Sequence, residues 1–187
     1  MAVDAFIWFE KAGSMADVFG ETLDDQYKKG GKGPAAAFGA FEIKDFSFGV
    51  ENPTTIGSAT GGAGAGKIKF NEFTIKKTTD TASPAFFKNC CAGAHYKTVT
   101  IDMRKAGGDP NTTGKAFLRF TFEMVFTTKI DWSGPGDEGP EESITFVYGK
   151  LGVVYWPQGK LGEQIPQPKI SGWNQVTNKS EEPTQLT

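Results

Sequence analysis

The strongest constraint on the fold is a long alternating stretch, "AFLRFTFEMVFTTKIDW", at residues 116–132. Alternation of apolar and polar residues with a period of two is typical of a β-strand with one buried face. The even positions of this stretch are apolar except at Thr128. At about 3.3 Å per residue the strand would reach roughly 55 Å, which is far longer than most strands. We therefore expect it to curve, as strands do when a sheet rolls into a barrel.

Shorter stretches with a similar pattern predict further strands. They lie at 2–9, 40–50, 67–77, 97–105, 144–157 and 170–177. The apolar phase slips by one residue within 40–50 and within 67–77, which predicts a bulge or a local twist in each. Residues 97–105 have an apolar face and a polar face, and the polar face carries Thr98, Thr100, Asp102 and Arg104. Residues 144–157 are apolar on both faces, so we expect the core to cover one side and a partner molecule the other.

One segment has the punctuation of a short helix, "SPAFFKNCCAG" at 83–93. Ser83 is a candidate N-cap, Pro84 suits the first helical position, and Gly93 suits the end of the helix. The helix is therefore predicted to run over 83–92. Its apolar stripe would consist of Phe86, Phe87, Cys90 and Cys91, with Lys88 and Asn89 facing away.

These elements predict a mostly β fold. We expect a closed or nearly closed antiparallel β-barrel of two packed sheets and about eight strands, with one short flanking α-helix and an extended glycine-rich loop at 50–66. The polar, glycine-rich residues 13–33 lack periodicity and predict another loop. The 187 residues suffice for one domain, predicted at 1–179. Residues 180–187 have the composition of a flexible C-terminal tail.

Composition excludes several classes of function. The formal net charge is −2 with no block of one sign, so binding to nucleic acid is not expected. No segment has the roughly 20 apolar residues that a membrane-spanning helix needs, and the N-terminus lacks the pattern of a cleaved signal peptide. Cys90 and Cys91 are adjacent, which does not suit a disulfide between them. We interpret them as free thiols and expect no metal and no cofactor.

The run "GGAGAGKI" at 61–68 resembles a phosphate-binding loop, because Gly61, Gly66 and Lys67 have the spacing of that motif. Such a loop needs a hydroxyl residue after the lysine, a buried strand before it and a helix after it. Here Ile68 follows the lysine, "ENPTTIGSAT" precedes the run, and a predicted strand follows it. All three requirements fail, so nucleotide binding is not expected.

Catalytic candidates are few. His95 is the only histidine, and "GDEGPEES" at 136–143 carries four carboxylates without the spacing of a calcium loop. We interpret the carboxylates as a solvated acidic loop that meets a basic patch on a neighbouring molecule. We expect no enzymatic activity and no catalytic residues.

A resemblance becomes clear at "NEFTIKKTTDTASPAFFKNCCAGAHYKTVTIDMRKAGG", residues 71–108. This stretch is similar to the Hcp family, the haemolysin-coregulated proteins of bacterial type VI secretion systems. The order of further motifs supports the resemblance: "MAVDAFI", "GAGAGK", "YWPQ" and "GWN". Residues 24–37 look longer than the usual family loop, and the charged tail after Lys179 also departs from the family.

The resemblance implies a structural protein that forms hexameric rings, which stack into the inner tube of the secretion system. It further implies as partners the contractile sheath, the valine-glycine repeat spike protein and small effectors carried in the bore. The protein would be cytoplasmic and then secreted without a signal peptide. The loop at 50–66 would contact neighbouring subunits or rings through Asn52, Pro53, Ile56, Gly61, Gly64 and Gly66. Ser47, which alternates with Phe46 and Phe48, is a candidate lumen-facing residue.

Two other functions remain possible on the sequence alone. A β-barrel of this kind could act as a monomeric soluble carrier, and an enzyme could use His95 together with the acidic loop. The mass of the species in solution separates the carrier from a ring, since one chain is 20.2 kDa. Substitution of His95 by Ala tests the enzyme, because a structural protein should assemble without the imidazole.

Overall fold

The computed structural model describes residues 3–53, 67–105, 114–136, 139–159 and 164–183. Its strands are β1 (Val3–Lys11), β2 (Phe41–Glu42), β3 (Asp45–Ser47), β4 (Val50–Glu51), β5 (Lys69–Phe70), β6 (Phe73–Thr78), β7 (His95–Lys105), β8 (Ala116–Gly136), β9 (Gly139–Val147), β10 (Lys150–Tyr155), β11 (Lys169–Asn174) and β12 (Lys179–Ser180). One helix among these residues, α1 (Ser83–Ala92), connects β6 to β7.

A nearly closed barrel forms the centre of the molecule. Strands β1, β7, β8, β9 and β6 pair antiparallel in that order. The barrel closes where the chain changes partner strand: Ile43 N donates to Ala5 O of β1 at 3.1 Å, and Lys44 N donates to Lys76 O of β6 at 3.0 Å. This change of partner is the physical reason for the phase slip in 40–50. The predicted fold class, a mostly β antiparallel barrel with one short helix, is confirmed.

The long strand β8 bends and pairs with three strands of the same sheet. It pairs with β7 along its first half, with β10 from Leu118 to Glu123, and with β9 from Phe126 to Gly136. Met124 has a positive φ of 55°, which is unusual for a residue with a side chain. Phe122 and Val125 both point into the core. The prediction that all even positions share one face is therefore wrong, because the face changes at Met124.

The stretch 144–157 is two strands rather than one. β9 ends at Val147, β10 begins at Lys150, and a tight connection joins them. The outer face of β10 is covered by the C-terminal residues of the same chain: Lys150 Nζ lies 2.9 Å from Glu181 Oε1, and a Cβ on Gly152 would lie 2.5 Å from Pro183 Cβ. The expectation that a partner molecule covers this face is wrong here.

The C-terminal residues 179–183 form a docked segment, which we call the strap. Its first two residues are β12, which pairs with β11, and Glu181 N then donates to Gly172 O at 3.0 Å. Pro183 is buried. The prediction of a flexible tail starting at 180 is therefore wrong for residues 180–183, and the domain extends past the predicted limit at 179. Residues 184–187 lie outside the described residues.

Residues 18–40 cover the outer face of β1, β7 and β8. They have no helix or strand, as expected for a loop, yet they are well packed. Tyr27 stacks on Phe6 with ring centroids 4.1 Å apart, and its hydroxyl donates to Asp102 at 3.1 Å. The polar face of residues 97–105 is therefore buried under this cover. The members of the small apolar cluster beneath it are Phe6, Trp8, Tyr27, Ala35 and Ala40.

The helix spans the predicted residues 83–92, but its N-cap is a different residue. Gly93 has a left-handed conformation with φ 62°, which ends α1. Ala82 occupies the N-cap position, and Ser83 is the first helical residue. The N-cap prediction for Ser83 is therefore wrong. Its hydroxyl instead donates to Glu142 Oε1 at 2.7 Å and accepts from Asp80 N at 3.0 Å.

The buried face of α1 also differs from the predicted stripe. Phe86 and Asn89 are buried, whereas Phe87 is 54% exposed and Cys91 is exposed. Asn89 is buried because its amide is satisfied: Oδ1 accepts from Ala16 N and Nδ2 donates to Ala16 O, both at 3.1 Å. A polar side chain that replaces missing backbone partners of a loop can occupy a core position.

Candidate assembly surface

The predicted assembly loop leaves the barrel from a small ribbon. β4 and β5 pair antiparallel, with Val50 opposite Phe70 and Glu51 opposite Lys69. Asn52 and Pro53 follow the ribbon directly and are both exposed. The other predicted loop residues, Ile56, Gly61, Gly64 and Gly66, lie outside the described residues. Asn52 and Pro53 are therefore the part of this prediction that the structure locates.

An aromatic pair joins the ribbon to the barrel. The rings of Phe70 and Tyr148 stack with centroids 5.1 Å apart, and Tyr148 Oη donates to Gly49 O at 3.5 Å. Burial raises the pKa of Tyr148, so its hydroxyl remains a protonated donor at neutral pH. Asn71 Nδ2 also donates to Glu51 Oε1 at 2.9 Å, across the base of the ribbon.

Gln175 reaches the same place from the end of β11. Its side chain accepts a hydrogen bond from Phe70 N at 3.2 Å and donates one to Tyr148 O at 2.8 Å. No sequence signal identified Gln175 or Tyr148, because their partners are backbone groups far away in the chain.

Ser47 lies at the end of β3, opposite Thr74 of β6. Its side chain is exposed, while Phe46 and Phe48 pack against the core. The alternation predicted for these three residues is thus present. Which surface of an assembly Ser47 faces stays a prediction.

A second surface was not predicted: an exposed row across β7, β8 and β9, formed by His95, Phe126 and Val147. His95 is opposite Phe126, and Phe126 is opposite Val147. The rings of His95 and Phe126 are 5.2 Å apart. Phe126 is 41% exposed and Val147 is 39% exposed. We call these three residues the apolar row. It exists because the face of β8 changes at Met124 and carries Phe126 outwards.

The structure does not bring His95 and the acidic loop together. His95 is opposite Phe126, whereas Glu142 is opposite Trp132, six residues further along β8, which corresponds to about 20 Å of strand. Glu142 is buried and contacts Lys77 Nζ at 2.7 Å, so its interpretation as a solvated carboxylate is wrong. Glu141 is solvated and pairs with Lys44 of the same chain at 2.9 Å. Asp137 and Glu138 lie outside the described residues.

Two absences among the described residues bear on the class of site. No group of three or more His, Cys, Asp or Glu side chains there could hold a metal ion. No helix in the same part of the chain is long and apolar enough to cross a membrane.

Residues 18–155 match the sequence profile of the family described as "Type VI secretion system effector, Hcp". The chain belongs to the Hcp family. The resemblance seen in the sequence is therefore confirmed. Hcp proteins are structural components of type VI secretion systems, form ring assemblies there and are secreted by that system.

Individual Hcp proteins are similar to this chain in sequence and structure. Protein hcp1 of Pseudomonas aeruginosa is 28% identical over 109 residues, which are 58% of this chain and 65% of that protein. A solved structure titled "Structure of a type six secretion system protein" superposes with a TM-score of 0.78 at 27% identity, over 96% of this chain and 100% of its own. Hcp1 of Salmonella typhimurium has the same fold, with a TM-score of 0.70 at 22% identity over 97% of this chain and 100% of its own.

Proposed function

We propose that this chain assembles into hexameric rings that stack into the inner tube of a type VI secretion system, and that it carries small effectors in the bore. The observation that carries the proposal is the family match over residues 18–155. The proposed partners are other copies of the chain, the contractile sheath, the valine-glycine repeat spike protein and the effectors. The protein would be made in the cytoplasm and leave the cell through the same system.

The exposed apolar row supports contacts between subunits. A closed ring needs two different surface patches on each subunit that complement each other. Phe126 and Val147 give one patch an apolar character, and burying it against a neighbouring copy would remove apolar area from water. The ribbon of β4 and β5 supports a second contact, because the exposed residues Asn52 and Pro53 follow it directly.

Shortening residues 52–64 tests the role of the loop. The paired residues of the ribbon lie outside this range, so we expect the barrel to stay folded. Rings and stacks should weaken, and negative-stain microscopy with light scattering would measure the change. Rings and stacks of full strength would contradict the proposal.

Ser47 is proposed to face the bore, where a small polar side chain suits a water-filled channel. Its exposure on the face opposite to Phe46 supports this. A bulky substitution such as Ser47→Trp should lower effector retention in a pull-down while ring yield stays the same. Unchanged effector retention would contradict the proposal that Ser47 faces the bore.

A structural protein without catalysis of its own is proposed over the two alternatives. His95 packs against Phe126 rather than against a carboxylate, which favours a structural role for this residue. The His95→Ala protein should therefore assemble normally. A single 20.2 kDa species at high concentration, measured by size exclusion with light scattering, would favour the monomeric carrier instead.

A further inference from the structure

The ribbon that carries the assembly loop is too small to hold its own direction. It has two residue pairs, and even a complete isolated hairpin is only marginally stable in water. Its orientation must therefore come from contacts with the barrel. Phe70 provides two of these contacts, through its ring on Tyr148 and through its backbone N–H on Gln175.

Gln175 connects three parts of the molecule at this point. Its Oε1 accepts from Phe70 N in β5, and its Nε2 donates to Tyr148 O in the connection between β9 and β10. Its own backbone N donates to Gly149 O at 3.0 Å. The ribbon, the β9–β10 connection and the end of β11 are thus held together by one residue.

The orientation of the Gln175 amide follows from its partners. A backbone N–H can only donate and a backbone carbonyl can only accept. An amide turned the other way would place its oxygen against Tyr148 O and its NH₂ group against Phe70 N, and both hydrogen bonds would be lost. A side chain of the same size with two oxygens therefore cannot replace it.

We propose that Gln175 is a positioning residue for assembly, which holds the ribbon, and with it the exposed Asn52 and Pro53, in place for contact with the next ring. This inference rests on the proposed function, because it assumes that the loop contacts other copies of the chain. Gln175 itself need not touch a neighbour. Its effect on assembly passes through Phe70 and the ribbon.

Gln175→Ala and Gln175→Glu test the proposal, with Gln164→Ala as the matched control. Gln164 is also half-buried and also donates from its Nε2 to a backbone carbonyl, that of Ala116 at 2.9 Å, but it lies away from the ribbon. Glu preserves the size of the side chain, so the fold is retained, while an oxygen replaces the donor to Tyr148 O.

Both Gln175 variants should form rings as the unaltered protein does but stack poorly in negative-stain images. Their Phe70 amide should exchange hydrogen on the order of tenfold faster. Ala removes the acceptor of the Phe70 N–H, whereas Glu retains an acceptor but loses the hydrogen bond to Tyr148 O that holds the side chain in place. Gln164→Ala should stack normally and leave Phe70 exchange unchanged. If Gln175 only stabilised the fold, its variants would have a lower melting temperature, and their ring formation and stacking would weaken together.

The loop-shortened protein, measured alongside, distinguishes a failure of the proposed role of the loop from a failure of the role of Gln175. Stacks of full strength from that protein overturn the proposed role of the loop and this inference with it. Reduced stacks from that protein, together with full stacks from the Gln175 variants, overturn the role of Gln175 alone. Gln164→Ala stacking as poorly as Gln175→Ala would also overturn it, because the effect would then not be specific to the ribbon.

Discussion

Asp102 and Arg119 are opposite each other on β7 and β8, on the face that residues 18–40 cover. Both carboxylate oxygens are used: Arg119 Nε donates to Oδ1 at 2.6 Å and Nη2 to Oδ2 at 2.8 Å, while Tyr27 also donates to Oδ2. Burial acts to lower the pKa of Arg119, but the hydrogen bonds and charge of Asp102 raise it overall. Arg119 therefore remains charged, and it depends on Asp102 as its partner because little solvent reaches the two side chains.

Asp102→Asn should destabilise the protein strongly. The amide cannot balance the buried guanidinium of Arg119, and loss of one partner from a buried pair costs about 3–5 kcal/mol. Asp131→Asn is the matched control, since its pair with Lys129 is more than half exposed on both sides and should cost at most about 1 kcal/mol. Urea unfolding at equal protein concentration measures both. A similar midpoint for the two variants would show that the buried pair contributes no more than the exposed one.

The pattern of residues 97–105 predicted correctly which side chains share a face, but not that the polar face is buried. Thr100, Asp102 and Arg104 look like solvent-facing residues because they alternate with the apolar residues of the same strand. The residues that cover them, 18–40, are polar and glycine-rich. Their packing depends on a few long-range contacts, such as Tyr27 on Phe6, which no local pattern encodes.

At the scale of elements, an ion pair contributes to the docking of the strap. Lys150 is buried between Glu123 at 3.1 Å and Glu181 at 2.9 Å. The hydrogen bond from Lys150, followed by one from Asn174, holds the pKa of Glu181 below its ordinary value of 4.5. A carboxyl whose pKa is lower in the folded state stabilises that state above its ordinary pKa, and this contribution is lost as the pH falls through the folded value.

The strap should therefore be docked at neutral pH and loosen in acid. Hydrogen exchange of the Glu181 amide, which donates to Gly172 O, reports the docking after correction for the intrinsic pH dependence of exchange. Protection should decrease as the pH falls below about 4.5. Glu181→Gln should show weak protection at every pH. Glu182→Gln, a change at the exposed neighbouring residue, should retain the transition, and a pH-independent wild-type signal would contradict the role of the ion pair.

Element boundaries were predictable where a single residue decides them. Gly93 ends α1 because its left-handed conformation suits glycine. The docking of the strap was not predictable. It packs against two glycines, Gly152 and Gly172, which lie opposite each other on β10 and β11. Glycines in strands leave room for a close approach of other backbone, but they do not tell which segment approaches. The buried face of α1 was missed for a similar reason, since the partner of Asn89 is the backbone of Ala16.

At the scale of the whole molecule, the nearly closed barrel could be expected from the length of β8, but the way its two ends meet could not be derived from any one strand. Closure depends on the seven residues from Phe41 to Ser47 pairing first with β1 and then with β6. The family resemblance supplied the fold as a whole. The apolar row follows from the bend at Met124, so simple alternation along β8 could not predict it.

The apolar row leads to a prediction about assembly. Val147→Asp changes a residue that is 39% exposed, so the isolated barrel should lose only about 0.5 kcal/mol. In a ring that buries the row, the same carboxylate would lose its water without gaining a partner, which is strongly unfavourable. The melting temperature of the unaltered protein should rise with protein concentration, because assembly stabilises the folded state by mass action. For Val147→Asp this rise should disappear, and light scattering should show smaller species.

Leu23→Asp, at a side chain that is 90% exposed, introduces the same charge away from the row and should assemble normally. Rings of Val147→Asp with unchanged stability would place the subunit contact on another surface.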